Sequence, residues 1–536
     1  MDTLEKTKNR EISIQQHTGA GVLVETLIEN GVDTVFGYPG TPILSIYDEL
    51  SKTDRIKHIL SRHEQGAIHS AEGYARVSGK CGVVLATSGP GFTNTITGIV
   101  NANTDGTPLV VITAQSESVG KNGFQDIDVN NIIQTCSKKV FILDKPDEVA
   151  YTINMAINEA LKLPSGVVVV GVTKSVLESQ SEQKTYRKRH EIKVEAPHSC
   201  VLRALGMLKN ANKPLIIAGG GCFGSENEVR EFQRLTHIPV VNTLMAKGVA
   251  DDVSLGLIGF NGVDYLNEMI NDSDVVIALG TRFSERTTGY KENFLQNSKI
   301  ISINIYQNMS ANVSIEEEIL GELKVVLQQM IGVIKAKNIL FDIKYDWIEQ
   351  LSQNEISSVT EEFTTENVLK VIYEYTKKYN PVIATDVGEH QIYANKVFKV
   401  SSTANFLTSG GFGAMGYGLP SAIGAYIAKP NSLVMNISGD GSFQMNLQEL
   451  GVCAEYNIPL KMMIINNSSL EMIKHQQENN NYSVYQSSLI NPDFVKLASA
   501  YGILGYTITN MSELKTALKE IFTYKKAVLL DIKVSG

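Results

Sequence analysis

Between Val434 and Asn467 the chain reads as a buried strand (Val434-Met435-Asn436-Ile437-Ser438), a tight Gly439-Asp440-Gly441-Ser442 turn, a helical run, a second strand (Met462-Met463-Ile464-Ile465) and a polar Asn466-Asn467 turn. Two strands joined through a helix lie side by side as parallel neighbours. The unit therefore commits this region to an open parallel α/β sheet, whose ligands bind beyond the carboxyl ends of the strands. One carboxylate and two amides converge at that edge. An Asp and an Asn on glycine-opened backbone suit a hard divalent cation that also holds phosphate oxygens. The glycines let main-chain N–H groups approach an anion, and a helix start favours negative charge. Taken alone, Gly-Asp-Gly fits equally a plain turn of a ligand-free sheet.

The same alternation fills the chain. A length of 536 residues predicts about three domains. A first block spans 14–178, with Val83–Thr87 and Pro108–Ile112 as parallel strands. A second spans 195–335, with Leu215–Ala218 before Gly219-Gly220-Gly221 and Val275–Leu279 before Gly280. A third spans 365–536, with Val382–Ala384, Leu433–Met435 and Ala527–Leu530. Polar stretches at Ser179–Arg189 and at 336–362 read as connections, the second holding the single tryptophan, Trp347. The expected fold class is α/β: three doubly wound parallel-sheet domains.

Composition narrows the function. The chain is 43% hydrophobic and 20% charged, as soluble globular proteins are. A net charge of −9 without a basic run argues against nucleic acid as a partner. No run of about 18 apolar residues predicts a membrane span. The N-terminus lacks a signal-peptide core, so a cytoplasmic location is expected. The five cysteines are scattered and form no C-x-x-C pair, which leaves neither a zinc site nor a disulfide framework to argue for.

The first block supplies Arg62-His63-Glu64-Gln65-Gly66-Ala67, then Ala71-Glu72-Gly73-Tyr74-Ala75-Arg76, then Thr87-Ser88-Gly89-Pro90-Gly91-Phe92. With the Gly-Asp-Gly and Asn-Asn turns, this set resembles the acetohydroxyacid and acetolactate synthase branch of the thiamine-diphosphate enzymes, over almost the whole chain. The resemblance implies a pyrimidine-binding first domain, a central domain and a diphosphate-binding third domain. It makes Glu64 the acid that hydrogen-bonds the cofactor's pyrimidine and lets its amino group take the thiazolium proton; burial favours the protonated form such a role needs. Without the flanking motifs, Glu64 reads as a helix-capping carboxylate. The resemblance further implies that Glu64 of one subunit meets the third domain of another, in a homodimer or homotetramer. Biosynthetic relatives use a small regulatory subunit, which no feature of this chain reports.

Carried over by motif, Asp440 and Asn467 bind Mg²⁺, with the Ser469 carbonyl as a further ligand. Gly439, Gly441 and Ser442 cradle the diphosphate. The Gly413 carbonyl accepts from the cofactor's amino group, and Met415 wedges between its rings, although Met415 alone reads as core filler. His390 is a phosphate contact or a surface histidine. Its neighbour Glu389 departs from the family's glutamine, and a carboxylate beside phosphate must be protonated, turned away or paired.

Phe124, Gln125, Lys138 and Arg286 match pocket positions. A guanidinium can hold the carboxylate of a 2-oxo acid bidentately. On the residues alone, Arg286 fits an ion pair with Glu285 as well. Gln125 positions a bound carbonyl or is a solvated amide. The tryptophan with which biosynthetic enzymes select their acceptor is replaced by Gln476, and Glu471 with Gln476 looks more like the catabolic synthases. In the central domain Gly219, Gly220, Thr243–Gly248, Gly259–Gly262 and Arg282 resemble a flavin pattern, yet Asn304 and Tyr306 stand where acids are expected. FAD is the expected but structural third cofactor, because the coupling is redox-neutral. The expected reaction is decarboxylation of pyruvate and transfer of its two-carbon unit to a second 2-oxo acid, giving 2-acetolactate by default. A ketone such as a keto-sugar is the alternative acceptor, and a non-catalytic cofactor-binding protein is the rival class.

Overall fold

The protein is described here by a computed structural model covering residues 17–117, 119–120, 123–181, 194–289, 293–307, 312–352 and 362–535. Three six-stranded sheets, all parallel, confirm the α/β class. In the first, β1 (Thr34–Gly37), β2 (Lys57–Leu60), β3 (Gly82–Ala86), β4 (Leu109–Ala114), β5 (Lys139–Leu143) and β6 (Val167–Val172) lie in the order β2-β1-β3-β4-β6-β5. The central sheet comprises β7 (Pro214–Ala218), β8 (Val240–Asn242), β9 (Ser254–Leu257), β10 (Val275–Leu279), β11 (Lys299–Asn304) and β12 (Glu317–Leu320), ordered β9-β8-β7-β10-β11-β12. The third, β13 (Val382–Thr385), β14 (Phe406–Leu407), β15 (Val434–Gly439), β16 (Lys461–Asn466), β17 (Leu504–Ile508) and β18 (Val528–Lys533), repeats the first, as β14-β13-β15-β16-β18-β17. Central strands such as Val167–Val172 are buried throughout, as strands covered by helices on both faces must be.

The outer orders reverse a second time at their far edge, where β6 and β18 lie inside β5 and β17; the first reversal of each order is where crevices open. In the outer sheets it falls between β1 and β3 and between β13 and β15. In the central sheet it falls between β7 and β10, the order of dinucleotide-binding sheets. All three places coincide with glycine-rich turns singled out in the sequence.

The two outer domains share one hydrophobic core, with Ala67, Ile68, Ala71 and Tyr74 from the first and Tyr417, Leu419, Ala422 and Ile423 from the third. Its axis is a crossing of α1 (Glu64–Ser78) with a later helix, Gly418–Ala428. Glycines permit the approach: a Cβ on Gly73 would strike the Ser421 carbonyl, and one on Gly424 the Ser70 carbonyl.

The stretches read as connections are partly structured. Gln180–Ser181 pairs antiparallel with His17–Thr18; residues 182–193 and 1–16 lie outside the described residues. Trp347 belongs to a helix, Tyr345–Ser352, and is buried in a core cluster of the central domain, its indole N–H donating to the Pro214 carbonyl at 2.9 Å. The polar residues around it hid a short amphipathic helix.

Candidate active site

At the β13–β15 reversal, Gly439 ends β15 and Asp440–Phe443 forms a single helical turn. The negative-charge preference of so short a helix is slight, so main-chain N–H groups carry any anion binding, although that of Gly441 is taken up by the Asp440 carboxyl in this structure. Asp440 is 2% exposed. Burial raises its carboxyl above the ordinary range, against the bond from Asn491. Its Oδ1 accepts from Gly441 N–H at 3.0 Å and its Oδ2 from Asn491 Nδ2 at 2.6 Å. Asn491 also bonds the Asn466 Oδ1 at 3.0 Å, tying the ends of β15 and β16 together. Asn491 was not foreseen, because only a Pro follows it locally and its partners lie in other turns.

Asn467 holds its own turn, its Oδ1 accepting from Ser469 N–H at 3.1 Å. The segment after it is walled by a return stretch: Leu470 N–H donates to the Ser487 carbonyl at 2.7 Å and Leu489 N–H to the Ser468 carbonyl at 2.8 Å. Leu470 and Leu489 flank Gly441, where a Cβ would come within 2.8 Å of a Leu470 methyl and 3.9 Å of the Met415 Cε. Met415 thus borders the Gly-Asp-Gly turn. Ser442 Oγ closes that turn onto the Gly439 carbonyl at 3.2 Å.

Gly413 has φ +77° and Gly416 φ +88°, so the loop carrying Met415 is bent in the left-handed region. Buried Asp386 anchors its far end, accepting from the Gly416 and Gly418 N–H groups at 2.9 Å each. His390 is buried, and its Nε2 accepts from Gly439 N–H at 3.2 Å. Burial pushes its imidazole down to about 4, so the ring is uncharged at neutral pH and buttresses the turn. Glu389 is turned towards the helix Glu471–Asn479, with His475 Nδ1 at 3.9 Å from its Oε1. Burial raises its carboxyl. Its turn towards that helix and its partial burial, which favours the uncharged carboxyl, answer the repulsion posed by its sequence position.

In the first domain Glu64 opens α1 and is 9% exposed. His63 caps the helix through Nδ1 at 3.1 Å from Gln65 N–H. Glu64 Oε2 accepts from Asn94 Nδ2 at 2.9 Å, and Oε1 faces the open backbone of Gly91. Gln125, at φ 57°, lies over Gly89 and takes the Ser88 hydroxyl at 3.1 Å. The turn before α1 is seated on the third domain: Arg62 N–H donates to Glu449 Oε1 at 3.0 Å. Burial pushes the Glu449 carboxyl up to about 7. Among the described residues no hydrogen bond joins Glu64 to Asp440, Asn467 or Ser469.

Both halves match known domains. The thiamine pyrophosphate (thiamine diphosphate) enzyme N-terminal TPP binding domain matches residues 17–132, the central domain 201–330 and the C-terminal TPP binding domain 386–532. The chain belongs to the thiamine pyrophosphate enzyme family. Among its relatives are the probable acetolactate synthase large subunit of Methanococcus aeolicus, 36% identical over 96% of this chain and 92% of the relative. The acetolactate synthase large subunit of Haemophilus influenzae is 35% identical over 96% and 94%. The probable acetolactate synthase large subunit of Methanocaldococcus jannaschii is 36% identical over 96% and 92%.

For a thiamine pyrophosphate enzyme, the donor set at the third-domain turn is chemically apt. A buried carboxylate, an amide oxygen and a main-chain carbonyl are the hard oxygen ligands Mg²⁺ takes, and Ser469 Oγ is buried there without a partner. Asp440→Asn is expected to weaken Mg²⁺-dependent cofactor binding by about 100-fold, the upper end of what lost supporting groups cost at metal sites. The fold should persist at some cost in stability, since the new NH₂ faces either the Gly441 N–H or the Asn491 amide. Calorimetric titration at graded Mg²⁺ checks this; unchanged Mg²⁺ dependence would remove Asp440 from the cation site.

A cavity of about 740 Å³ opens at the β7–β10 reversal, between all three domains. It is lined by Gly220, Gly221, Arg282, Arg286 and Glu322, among others. Gly219 and Gly221 pack on Gly280, with Gly221 N–H donating to the Gly280 carbonyl at 2.9 Å. Asn304 spends its amide N–H bonds inward, on the Thr281 carbonyl and Ser302 Oγ. Gly321 N–H donates to the Asn304 carbonyl at 3.0 Å, which brings Glu322, another residue lining the cavity, next to position 304.

The pocket residues do not all gather. Arg286 Nη1 donates to the Gly410 carbonyl at 2.8 Å and lies near Gly413, so it borders the third-domain loop. Gln476 is exposed on the Glu471–Asn479 helix. Lys138 precedes β5, at the amino end of its strand and away from the carboxyl edge that holds Glu64. Its Nζ caps the Glu159 and Lys162 carbonyls at the end of the helix Val149–Leu161. Within one chain it is a helix-terminating cation.

Proposed function

We propose that this protein is a carboligase of acetolactate-synthase type, which decarboxylates pyruvate and couples the two-carbon unit to a second carbonyl compound, by default another pyruvate. The supporting observation is the 36% identity to an acetolactate synthase large subunit over 96% of the chain, with Glu64, Asp440 and Asn467 all in place. Thiamine diphosphate, when bound, supplies the electron sink for decarboxylation. The protein's part is placement. Asp440, Asn467 and the Ser469 carbonyl hold Mg²⁺, and the N–H groups of Gly441 and Ser442 hold the diphosphate. The Gly413 carbonyl and Met415 set the cofactor's shape. Glu64 holds a proton at the pyrimidine nitrogen, and Gln125 orients the substrate carbonyl. Arg286 attracts the substrate carboxylate.

A second copy of the chain completes each site in this reading. Two features support it: among the described residues Glu64 makes no hydrogen bond to Asp440, Asn467 or Ser469 of its own chain, and Phe124, beside Gln125, is 94% exposed. The central cavity is assigned to FAD in a structural role, on its dinucleotide-type strand order, its glycine floor and Glu322. Its volume lies within the roughly 300–1,000 Å³ usual for cofactor clefts.

Incubating the purified protein with thiamine diphosphate, Mg²⁺ and pyruvate, with CO₂ and acetolactate both quantified, tests the proposal; flavin absorbance of the same sample tests FAD. Equal molar amounts of CO₂ and acetolactate establish self-coupling. CO₂ with little acetolactate favours the second reading, a hydroxylated ketone or keto-sugar, for which exposed Gln476 leaves polar room. No pyruvate consumption sinks the donor assignment.

A further inference from the structure

Glu64 is not the only carboxylate that α1 buries. Two turns further on, Glu72 is fully buried at the contact between the first and third domains. We propose that Glu72 is a positioning residue for the loop bearing Gly413 and Met415, acting through Asn101 and Ser409. The inference rests on the thiamine-diphosphate reading of that loop.

The argument is one of hydrogen-bond polarity. An ionised carboxylate only accepts. Both Glu72 oxygens take the Asn101 Nδ2 group at 3.0 Å, and Oε2 also faces His69 Nδ1 at 2.9 Å. Asn101 is fully buried and has one amide, so committing its Nδ2 to Glu72 leaves Oδ1 pointing the other way. There Ser409, buried in the third domain, donates its only hydroxyl proton to Asn101 Oδ1. The Ser409 oxygen is then free to accept, and it takes the Ala414 N–H at 2.8 Å. Ala414 lies between Gly413 and Met415. Each bond in the series has its direction fixed by the acceptor-only end.

The rest of the loop is held by other means. Asp105 takes the Gly410 and Gly411 N–H groups at 3.2 and 2.7 Å, and Arg76 donates to the Thr408 carbonyl at 3.0 Å. Asp386 holds Gly416. The Ser409–Ala414 bond governs the span between these anchors, where two left-handed glycines give the backbone latitude.

Glu72→Gln conserves size but puts a donor where only acceptors stood. The Asn101 amide then keeps only one of its two acceptors, with an N–H beside it, or flips and offers its own N–H to Ser409. A flip takes away the acceptor of the Ser409 hydroxyl proton, and the hydroxyl must rotate to find another, which loosens its hold on the Ala414 N–H.

The first test is amide hydrogen exchange on the cofactor-free protein, followed in peptides spanning 409–416. Both Glu72→Gln and Ser409→Ala should speed exchange there by about tenfold, the effect of one buried hydrogen bond, while the sheet strands keep their protection. Calorimetric affinity for thiamine diphosphate with Mg²⁺ should fall several-fold in each. The double variant should bind no more weakly than Ser409→Ala alone, because members of one series are not additive. Asn101→Ala cuts the series in the middle and serves if Glu72→Gln does not fold. Wild-type exchange at 409–416 in Glu72→Gln or Asn101→Ala, or affinity losses that multiply in the double variant, would overturn the proposal. Neither readout uses pyruvate, so a wild-type protein inert towards pyruvate defeats the carboligase reading and leaves this test standing.

Discussion

Glu64→Gln is expected to cut pyruvate turnover by at least about 100-fold, within the range that loss of a general acid or base costs. The amide keeps the size of the buried side chain and can still accept from Asn94 Nδ2, which lies 2.9 Å from Oε2. It cannot hold an exchangeable proton at the pyrimidine nitrogen. Cofactor affinity should change less than tenfold and the melting temperature hardly at all, because α1 retains its His63 cap and its seat on Glu449. CO₂ release, calorimetry and thermal unfolding on the same preparation separate these quantities. A variant with wild-type turnover would remove Glu64 from the chemistry.

The second large effect is structural. Gly424→Ala should destabilise the protein by about 3 kcal/mol, the upper part of the usual range for overpacking. The added methyl meets the Ser70 carbonyl, which is main chain of α1, so no rotamer change relieves it. The helices must separate, and the shared core around Ala71, Tyr417 and Ile423 opens with them. Gly206→Ala is the control: it is also in a helix interior, His198–Lys209, and no atom lies within 4 Å of the added Cβ. It should be neutral or gain up to about 1 kcal/mol from helix propensity. Thermal unfolding of both variants checks the pair, and equal melting temperatures would mean that the crossing tolerates a methyl.

The parallel strands were legible because burial on both faces makes them unbroken apolar runs; Val275–Leu279 was read to the residue. The Gly-Asp-Gly and Asn-Asn turns were legible because their chemistry is local. Groups that act on distant partners were not. Asn101 and Ser409 stand 308 positions apart, and nothing near either one announces the bond. Asn491 is equally silent. Lys138 carries the right charge for a pocket, but its seat on the Glu159 and Lys162 carbonyls depends on residues 21 and 24 positions further on. Trp347 was misplaced because the periodicity of an eight-residue helix is too brief to stand out from polar neighbours. Glu389 posed a conflict that only its burial and its turn towards the Glu471–Asn479 helix resolve.

The common core of the outer domains also bears on how the chain is made. The first domain is synthesised before its partner, and the whole central domain must follow before the helix Gly418–Ala428 exists to cover α1. During that interval the face of α1 that later meets this helix, bearing His69, Ser70 and Gly73, has no cover from its own chain. Each outer domain has a core of its own, as the central one does, but the core the two outer domains share is complete only when both are present. Translation leaves a sticky intermediate whose completion waits on the last third of the polypeptide, the kind of species that molecular chaperones shelter.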